Sequence, residues 1–489
     1  MRNQVLACVL AALLSGCAVG PDYRRPAVDV PAGWRFEATE GREVANTAWW
    51  EQFGDPVLNE LVEIALEENK DLRIATARIE EFAGRYVTTR GNLFPQVGAG
   101  ATFARQRVSQ DGLSPIPSVR ATFDTYDVFL NGSWEIDFFG RLRRATEAAR
   151  ADLLATEEAR RVVVLTLVSS VAATYVDLLT LDKQLEITRK TAEGRKKSFD
   201  IFQMRFDGGV VSEVVLSQSD AEYRDALSRI PEIERAIVQT ENALSILLGR
   251  NPGDIVRGRK LDDLGIPGVP EGLPSDLLER RPDIRQAEQN LIAANARIGE
   301  AKALYFPTIS LTGLLGYSST DLSSLFMGST KVWSLAAPLT MPIFTAGRIK
   351  GQVEAAEAFQ QQTLYAYQAA IQNGFREVED ALVDRVKFQE QMQALGDQID
   401  ALRTYARLSM LRFDEGYASY IEVTDAERSL FNAELIRTSI QGNVLNAYIN
   451  LYKSMGGGWV ETAEKSVPAG SPDEGPPVAE GVRKAPSAG

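Results

Sequence analysis

The chain carries one unit twice, and that repeat limits what it can fold into. Asp71-Leu72-Arg73 is followed by Phe94-Pro95, and Asp283-Ile284-Arg285 by Phe306-Pro307; the Asp-to-Pro spacing is 24 in both. Farther on, the copies stay in register at an offset of 207. Gly140-Arg141 matches Gly347-Arg348, Arg205-Phe206-Asp207-x-Gly209 matches Arg412-Phe413-Asp414-x-Gly416, and Leu248-Gly249 matches Met455-Gly456. A spacing held over more than 100 residues marks a duplication.

Each copy mixes two periods. Leu58, Leu61, Val62, Ala65 and Leu66 recur at helical spacing, and a helical pattern runs from Asp55-Pro56 to about residue 92. Alternation then takes over in Val97, Ala99, Ala101 and Phe103, and again in Val128, Leu130, Gly132, Trp134 and Ile136. Residues 107–125 between them read as a loop. Residues 141–205 have no proline and one interior glycine, Gly194, with Val168, Val171, Tyr175, Leu178 and Leu185 at spacings of three and four. Such a helix would extend roughly 98 Å at about 1.5 Å per residue, a rod of coiled-coil type. Arg205 to Gly209 supplies a turn, and a returning helix is expected over 212–248.

The second copy repeats the order. Ile309, Leu311, Gly313, Leu315 and Tyr317 alternate, and Trp333, Leu335, Ala337, Leu339 and Met341 share one face of a strand expected over 332–341. Residues 318–331 form a Ser-rich loop, and a second rod covers 348–412. The expected fold class is α+β with an internal two-fold repeat. The expected divisions are a leader 1–16, an extended segment 17–54, a first repeat 55–250, a linker 251–274, a second repeat 275–459 and a disordered tail 460–489.

Composition removes most chemistry. Of 489 residues none is histidine, which excludes Ser-His-Asp and Cys-His machinery, HExxH zinc sites and His-ligated haem. The two cysteines, Cys8 and Cys17, are both N-terminal, so the body has no disulfide, thiolate cluster or catalytic thiol. There is no Walker loop and no GxSxG, and acid pairs such as Glu157-Glu158 read as solvated helix faces, so an enzyme is not expected. A formal charge of −13 disfavours nucleic acid. No apolar run after residue 20 is expected to reach the roughly 20 residues of a spanning helix.

Four strands per chain cannot close a barrel, and open edges are not tolerated in lipid. Three chains sharing twelve strands would solve this, with the long helices forming a second cylinder.

The N-terminus reads as an address. Arg2 precedes an apolar stretch over 5–14, ending in Leu14-Ser15-Gly16-Cys17. That ending resembles the lipobox of bacterial lipoproteins. The resemblance implies cleavage before Cys17 and its conversion to an S-diacylglycerol, N-palmitoyl cysteine. Ala18, where an Asp would resemble an inner-membrane retention signal, favours the outer membrane.

Further motifs carry a family resemblance. Cys17-Ala-Val-Gly20-Pro21-Asp22-Tyr23-Arg24-Arg25-Pro26, Trp49-Trp50-x-x-Phe53-x-Asp55-Pro56-x-Leu58, Arg280-Arg281-Pro282-Asp283-Ile284-Arg285, Asp425-Ala426-Glu427-Arg428-Ser429-Leu430 and Gly456-Gly457-Gly458-Trp459 cover about residues 17–459. They resemble the lipoprotein (NodT-type) branch of the TolC-like outer-membrane efflux channels of resistance-nodulation-division (RND) systems. The resemblance implies a homotrimer, a twelve-stranded barrel in outer-membrane lipid and a periplasmic α-barrel. It also implies a periplasmic membrane-fusion adaptor protein and an inner-membrane RND-type transporter as partners, with no resident cofactor beyond the lipid on Cys17.

A duct needs a gate, a lumen and a docking tip. Glu422 and Asp425 lie three apart just past the second turn, on one helical face, giving six carboxylates in a trimer. Such a ring attracts cations and resists closure unless its repulsion is offset; a helix start favoured by the dipole explains the same residues. The resemblance implies that these two positions form the periplasmic constriction, narrowed by Ile421. It also implies a Tyr-to-Asp latch, but the positions hold Phe413 and Val215, so closure is expected from apolar contacts or from Arg412 and Glu213. Arg205, Asp207, Gly209, Asp414 and Gly416 at the turns are the expected adaptor contacts, and the two glycines also serve tight turns. Trp134, Tyr317 and Trp333 sit at the membrane interface or pack between strands.

The expected function is passive exit of drugs or other small toxic compounds. A duct for polypeptide or metal ions is the alternative, the metal version weakened by the lack of histidine and only 7 methionines. A lipid-anchored coiled-coil spacer is the reading from another class, and the alternating strands argue against it.

Overall fold

A computed structural model describes residues 18–35, 48–109, 122–269 and 277–456. Cys17, the leader before it, Trp459 and the tail lie outside these residues. The helices are α1 (Pro56–Glu68), α2 (Lys70–Gly91), α3 (Arg141–Asp207), α4 (Glu213–Leu247), α5 (Leu277–Arg280), α6 (Pro282–Ala303), α7 (Arg348–Asp414) and α8 (Tyr420–Ser454). The strands are β1 (Gln96–Arg107), β2 (Thr122–Ile136), β3 (Thr308–Ser319), β4 (Lys331–Ala336) and β5 (Leu339–Thr340). Four pairs of corresponding elements have equal lengths: α2 and α6 have 22 residues, β1 and β3 have 12, α3 and α7 have 67, α4 and α8 have 35. The duplication read from the sequence is thus a duplication of structure.

The first unit comprises Ala77–Glu158, Arg285–Ala370 and the described residues up to Val28. Its sheet is antiparallel in the order β1-β2-β3-β4, with β5 also on β3. The register aligns every alternating position on one face. Ala101, Val128, Tyr317 and Lys331 form one row; Ala99, Leu130, Leu315 and Trp333 the next; Val97, Gly132, Gly313 and Leu335 a third. The opposite face carries Thr102, Asp127 and Ser318, then Gly98, Asn131, Leu314 and Ser334, then Gln96, Ser133 and Thr312. One face is therefore apolar and the other mostly polar, with the Phe129 ring lying between Gly100 and Gly316. The strand expected over 332–341 is split. Pro338 has no N–H to give the ladder; instead its carbonyl accepts from Ser310 N at 3.2 Å.

An N-terminal strap belongs to this unit. Arg25 and Tyr23 both donate to Glu288, at 2.5–2.7 and 3.0 Å. Burial works against the Glu288 charge, but these hydrogen bonds outweigh it and hold its carboxyl below the usual range. Arg144 pairs with Asp22 at 2.7 Å, and Asn295 donates to the Pro21 carbonyl at 2.9 Å. Val19 N donates to the Phe139 carbonyl at 3.0 Å, just past β2. Gly140 is needed there: its φ is +80°, and an added Cβ would lie 2.8 Å from Ala18.

The second unit comprises Asp29–Thr76, Ala159–Ile284 and the described residues from Ile371. Its core gathers Trp49, Phe53, Leu58 and Val62 against Val168, Tyr175 and Leu178 of α3 and Ile449 and Tyr452 of α8. Trp49 stacks on Tyr452 with centroids 5.4 Å apart. Asp55, fully buried, caps α1 through Val57 N at 2.9 Å and accepts from Tyr175 Oη at 2.9 Å and Arg259 N at 2.8 Å. Arg281 binds Asp283 and Glu377, both at 2.7 Å, and donates to the Ser454 carbonyl at 2.8 Å. The Trp49-to-Leu58 motif and the Arg281-to-Asp283 part of the second are thus the clasps of this unit.

Two expectations need correction. The helix expected from 56 to 92 breaks at Asn69, whose ψ is 131°. The Asn69 side chain donates to the Leu247 carbonyl at 2.8 Å and accepts from Leu72 N at 2.9 Å, starting α2 afresh. The sequence also does contain a stretch long and apolar enough to span a bilayer: an 18-residue window of α3 has a mean hydropathy of 2.0. Most of that window is buried, with Val164, Val168, Val171 and Tyr175 fully so, which makes it a core stripe.

Candidate functional site

The hairpins α3–α4 and α7–α8 end in two matched turns. Val210 N reaches back to the Arg205 carbonyl at 2.8 Å and Gly209 N to that of Phe206 at 2.8 Å. In the second copy Tyr417 N bonds Arg412 O at 2.8 Å and Gly416 N bonds Phe413 O at 3.0 Å. This pair of bonds ends a helix with a left-handed residue, and Gly209 and Gly416 have φ of +71° and +77°. Ser212 and Ser419 then start the return helices in extended conformation.

Beneath the turns, one apolar cluster joins all four helices. Phe202, Tyr420 and Val423 are buried, packed by Val211, Val215, Leu216, Met410 and Phe413. Phe202 meets Tyr420 at 4.6 Å and Phe413 at 5.8 Å between centroids, and Phe413 meets Tyr420 at 5.2 Å. Phe413 and Val215, which stand where the resemblance implies a polar latch, both lie in this cluster.

The charged residues sort into two links. Arg205 of the first turn pairs with Asp414 of the second at 3.2 Å. Arg412 pairs with Glu422 at 3.2 Å and donates to the Tyr417 carbonyl at 3.5 Å. Glu213 is exposed and lies outside that pair. The difference follows from the repeat: at the offset of 207 the partner of Glu422 is Val215, so Arg205 has no carboxylate at the matching position of its own return helix. Likewise Val214 and Gln218 replace Ile421 and Asp425. The acidic face exists on the second hairpin alone. There Ile421 is 58 % exposed, Glu422 half-buried and Asp425 exposed, with Tyr405 Oη 3.5 Å from Asp425. Tyr420 and Val423 hold the opposite face of α8 against the cluster, which leaves Ile421, Glu422 and Asp425 facing outward together. Asp207 is exposed, as are Gly209, Asp414 and Gly416.

A neighbouring charge cluster was not legible in the sequence. Arg195 of α3, 5 % exposed, binds Glu222 of α4 at 3.0 Å, Asp225 at 3.2 Å and the Glu222 carbonyl at 2.7 Å. Its guanidinium lies 5.2 Å over the Phe431 ring of α8, and Arg229 of α4 lies 5.1 Å from the same ring. Arg428 approaches Glu222 at 3.8 Å. Burial pushes the Glu427 carboxyl up; Arg195 opposes and Glu222 reinforces the shift. The folded packing therefore binds this proton more tightly than an open chain does. Its contribution favours the packed state at low pH and is lost as pH rises from the ordinary carboxylate value to the raised one. If these tips gate a conducting assembly, acidification is expected to lower its resting conductance, and Glu427→Gln should flatten that dependence above the ordinary carboxylate range. An unchanged profile in the variant would assign the effect elsewhere. No spacing rule points to this cluster, because its members come from three helices far apart in sequence.

A family model described as outer membrane efflux protein matches residues 61–250 and 273–457. The toluene efflux pump outer membrane protein TtgC of Pseudomonas putida is 36 % identical over 93 % of this chain and 95 % of that protein. The cation efflux system protein CusC of Escherichia coli O157:H7 is 35 % identical over 93 % and 99 %. The open-state crystal structure of the Neisseria gonorrhoeae MtrE outer membrane channel superposes with a TM-score of 0.80 at 32 % identity, over 91 % of this chain and 99 % of that one.

Proposed function

We propose, from the premise that this chain belongs to the outer membrane efflux protein family, that its two hairpin tips form the gate of an outer-membrane exit duct. The chain is the outer-membrane channel component of an efflux pump in a Gram-negative bacterium. Three chains complete the barrel, which removes the open edges of β1 and β4 and gives an even strand count. The 12 residues of β1, at about 3.4 Å each and about 40° of tilt, span roughly 31 Å, the thickness of bilayer hydrocarbon. The apolar rows meet lipid and the polar rows line the lumen.

The gate reading rests on one observation: Ile421, Glu422 and Asp425 face outward together from α8 while the other side of that helix is fixed in the aromatic cluster. Repeated around a trimer axis, they give a narrow acidic ring. Within each chain Arg412 offsets part of the charge on Glu422. The turns carrying Arg205, Asp207, Gly209, Asp414 and Gly416 are the surface offered to a periplasmic adaptor, which couples the duct to an RND-type inner-membrane transporter. The cargo we propose is drugs and other small toxic organic compounds, since a route for soft metals has few ligands here. Planar-bilayer conductance with the mass of the same preparation tests the gated duct. A trimer of low, cation-selective resting conductance is expected; a silent monomer would return the chain to a lipid-anchored spacer.

Acylation of Cys17 is part of the same proposal. The strap bonds Val19 to the chain just past β2, so the first described residues are tied to the membrane-facing sheet. Diacylglycerol and N-palmitoyl chains on Cys17 would enter the outer membrane, each buried methylene adding about 0.8 kcal/mol. Intact-protein mass spectrometry is expected to find both modifications on the mature chain. Cys17→Ser should remove them and leave a trimer, because the barrel still holds it; masses that differ only by the sulfur-to-oxygen exchange of the substitution would sink the assignment.

A further inference from the structure

The apolar face of the sheet is not smooth. A hollow of about 600 Å³ opens on it, lined by Ala99, Ala101, Leu130, Leu315 and Tyr317 and bounded by Phe326. The ladder explains the hollow. In two successive rows β1 contributes only Ala101 and Ala99, while β2 and β3 contribute Val128 and Tyr317, then Leu130 and Leu315. The small side chains leave a step beside the large ones. Phe326, from the connection between β3 and β4, folds back edge-on to Tyr317 with centroids 5.5 Å apart and forms the outer wall. At the rim stands Lys331, opposite Tyr317 in the β3–β4 pairing. No described residue forms an ion pair with Lys331.

Both features need something from the membrane. The lining offers water too few polar partners, so hydrocarbon must fill the space. An ammonium group beside hydrocarbon reaches toward the headgroup level and is best matched by an anion. β1 leaves α2, and β2 enters α3, at the opposite end of the sheet from the β3–β4 connection that precedes Lys331. The rim thus lies toward the cell exterior. We propose that this hollow is a binding site for a phosphate-bearing lipid of the outer leaflet. One acyl chain lies over Ala99 and Ala101 beside Phe326, and the headgroup phosphate pairs with Lys331. The proposal rests on reading this face as membrane-facing.

The test is native mass spectrometry of the delipidated trimer in detergent, titrated with 1-palmitoyl-2-oleoyl phosphatidylglycerol. Saturable binding of up to one lipid per chain is expected. Lys331→Gln should weaken it about fivefold, the usual effect of one surface cation. Ala99→Leu with Ala101→Leu fills the hollow but keeps the charge, and should weaken binding at least as much; simple attraction to a basic patch would leave that variant unchanged. Diacylglycerol of the same chains, lacking phosphate, should bind like phosphatidylglycerol does to Lys331→Gln. Conductance of each variant in planar bilayers shows that the barrel has formed. A conducting trimer whose lipid binding is the same in all three proteins overturns the lipid site alone. A wild-type chain that neither trimerises nor conducts overturns the membrane reading and the site with it.

Discussion

Replacing Glu422 and Asp425 together by alanine is expected to raise single-channel conductance severalfold and to reduce its preference for cations. Both side chains face outward from α8, and in the proposed gate three copies would bring six carboxylates near one axis. Carboxylates so placed select cations by their field, which low-dielectric walls focus and salt screens over about 8–10 Å. Loss of Glu422 also frees Arg412, which it holds at 3.2 Å, and loss of Asp425 removes the 3.5 Å contact with Tyr405. Two restraints on the α7–α8 turn therefore vanish with the charge. Selectivity should respond most at low salt. Measured in planar bilayers, an unchanged conductance and reversal potential in the double variant would remove these residues from the gate.

Phe202→Ala is expected to have the largest effect on the tips themselves. The ring is 2 % exposed and contacts both Tyr420 and Phe413, so its removal leaves a cavity shared by both hairpins. Truncating a buried Phe costs about 3–5 kcal/mol, and the lost aromatic pairs contribute about 0.5–1.5 kcal/mol each. Arg205, whose guanidinium lies 5.8 Å over the Phe202 ring, loses support for its pair with Asp414. Amide exchange should accelerate around 202–216 and 410–425 but not in the core around Trp49 and Tyr175, and resting conductance should rise. Unaltered exchange at the tips would show that the aromatic cluster does not hold them together.

The two outcomes separate the parts of the site. In the proposed gate the carboxylates would act through the field in the opening, whereas the cluster acts through packing between hairpins. The Tyr-to-Asp latch implied by the resemblance is replaced at both its positions by apolar side chains, and those side chains join the cluster.

Much of this was determined by sequence alone. The repeat, the strand faces and the long hairpins follow from periods of two and about 3.6, which local sterics impose on any chain. The alternating residues of all four strands fall on one face because a register slip of one residue would expose the whole apolar set elsewhere. Gly209 and Gly416 marked the turns because few other residues accept a positive φ. The carboxylates Glu422 and Asp425 were visible from their spacing of three just past a turn, and their place in a gate came only from the family resemblance.

Other features were decided only in three dimensions. The partner of Arg412 is Glu422 and that of Arg205 is Asp414, because a single substitution between the copies, Val215 for Glu422, leaves Arg205 to find a carboxylate across the hairpins. The break at Asn69 depends on the Leu247 carbonyl, 178 residues away. The apolar window of α3 looked like other helical sequence until the Trp49 and Phe53 rings were packed against it. The buried Arg195 cluster and the hollow beside Lys331 have no local signature at all. Local sequence fixes which backbone conformation is cheapest; which charges meet, and where small side chains leave space, depend on neighbours that only the folded chain brings together.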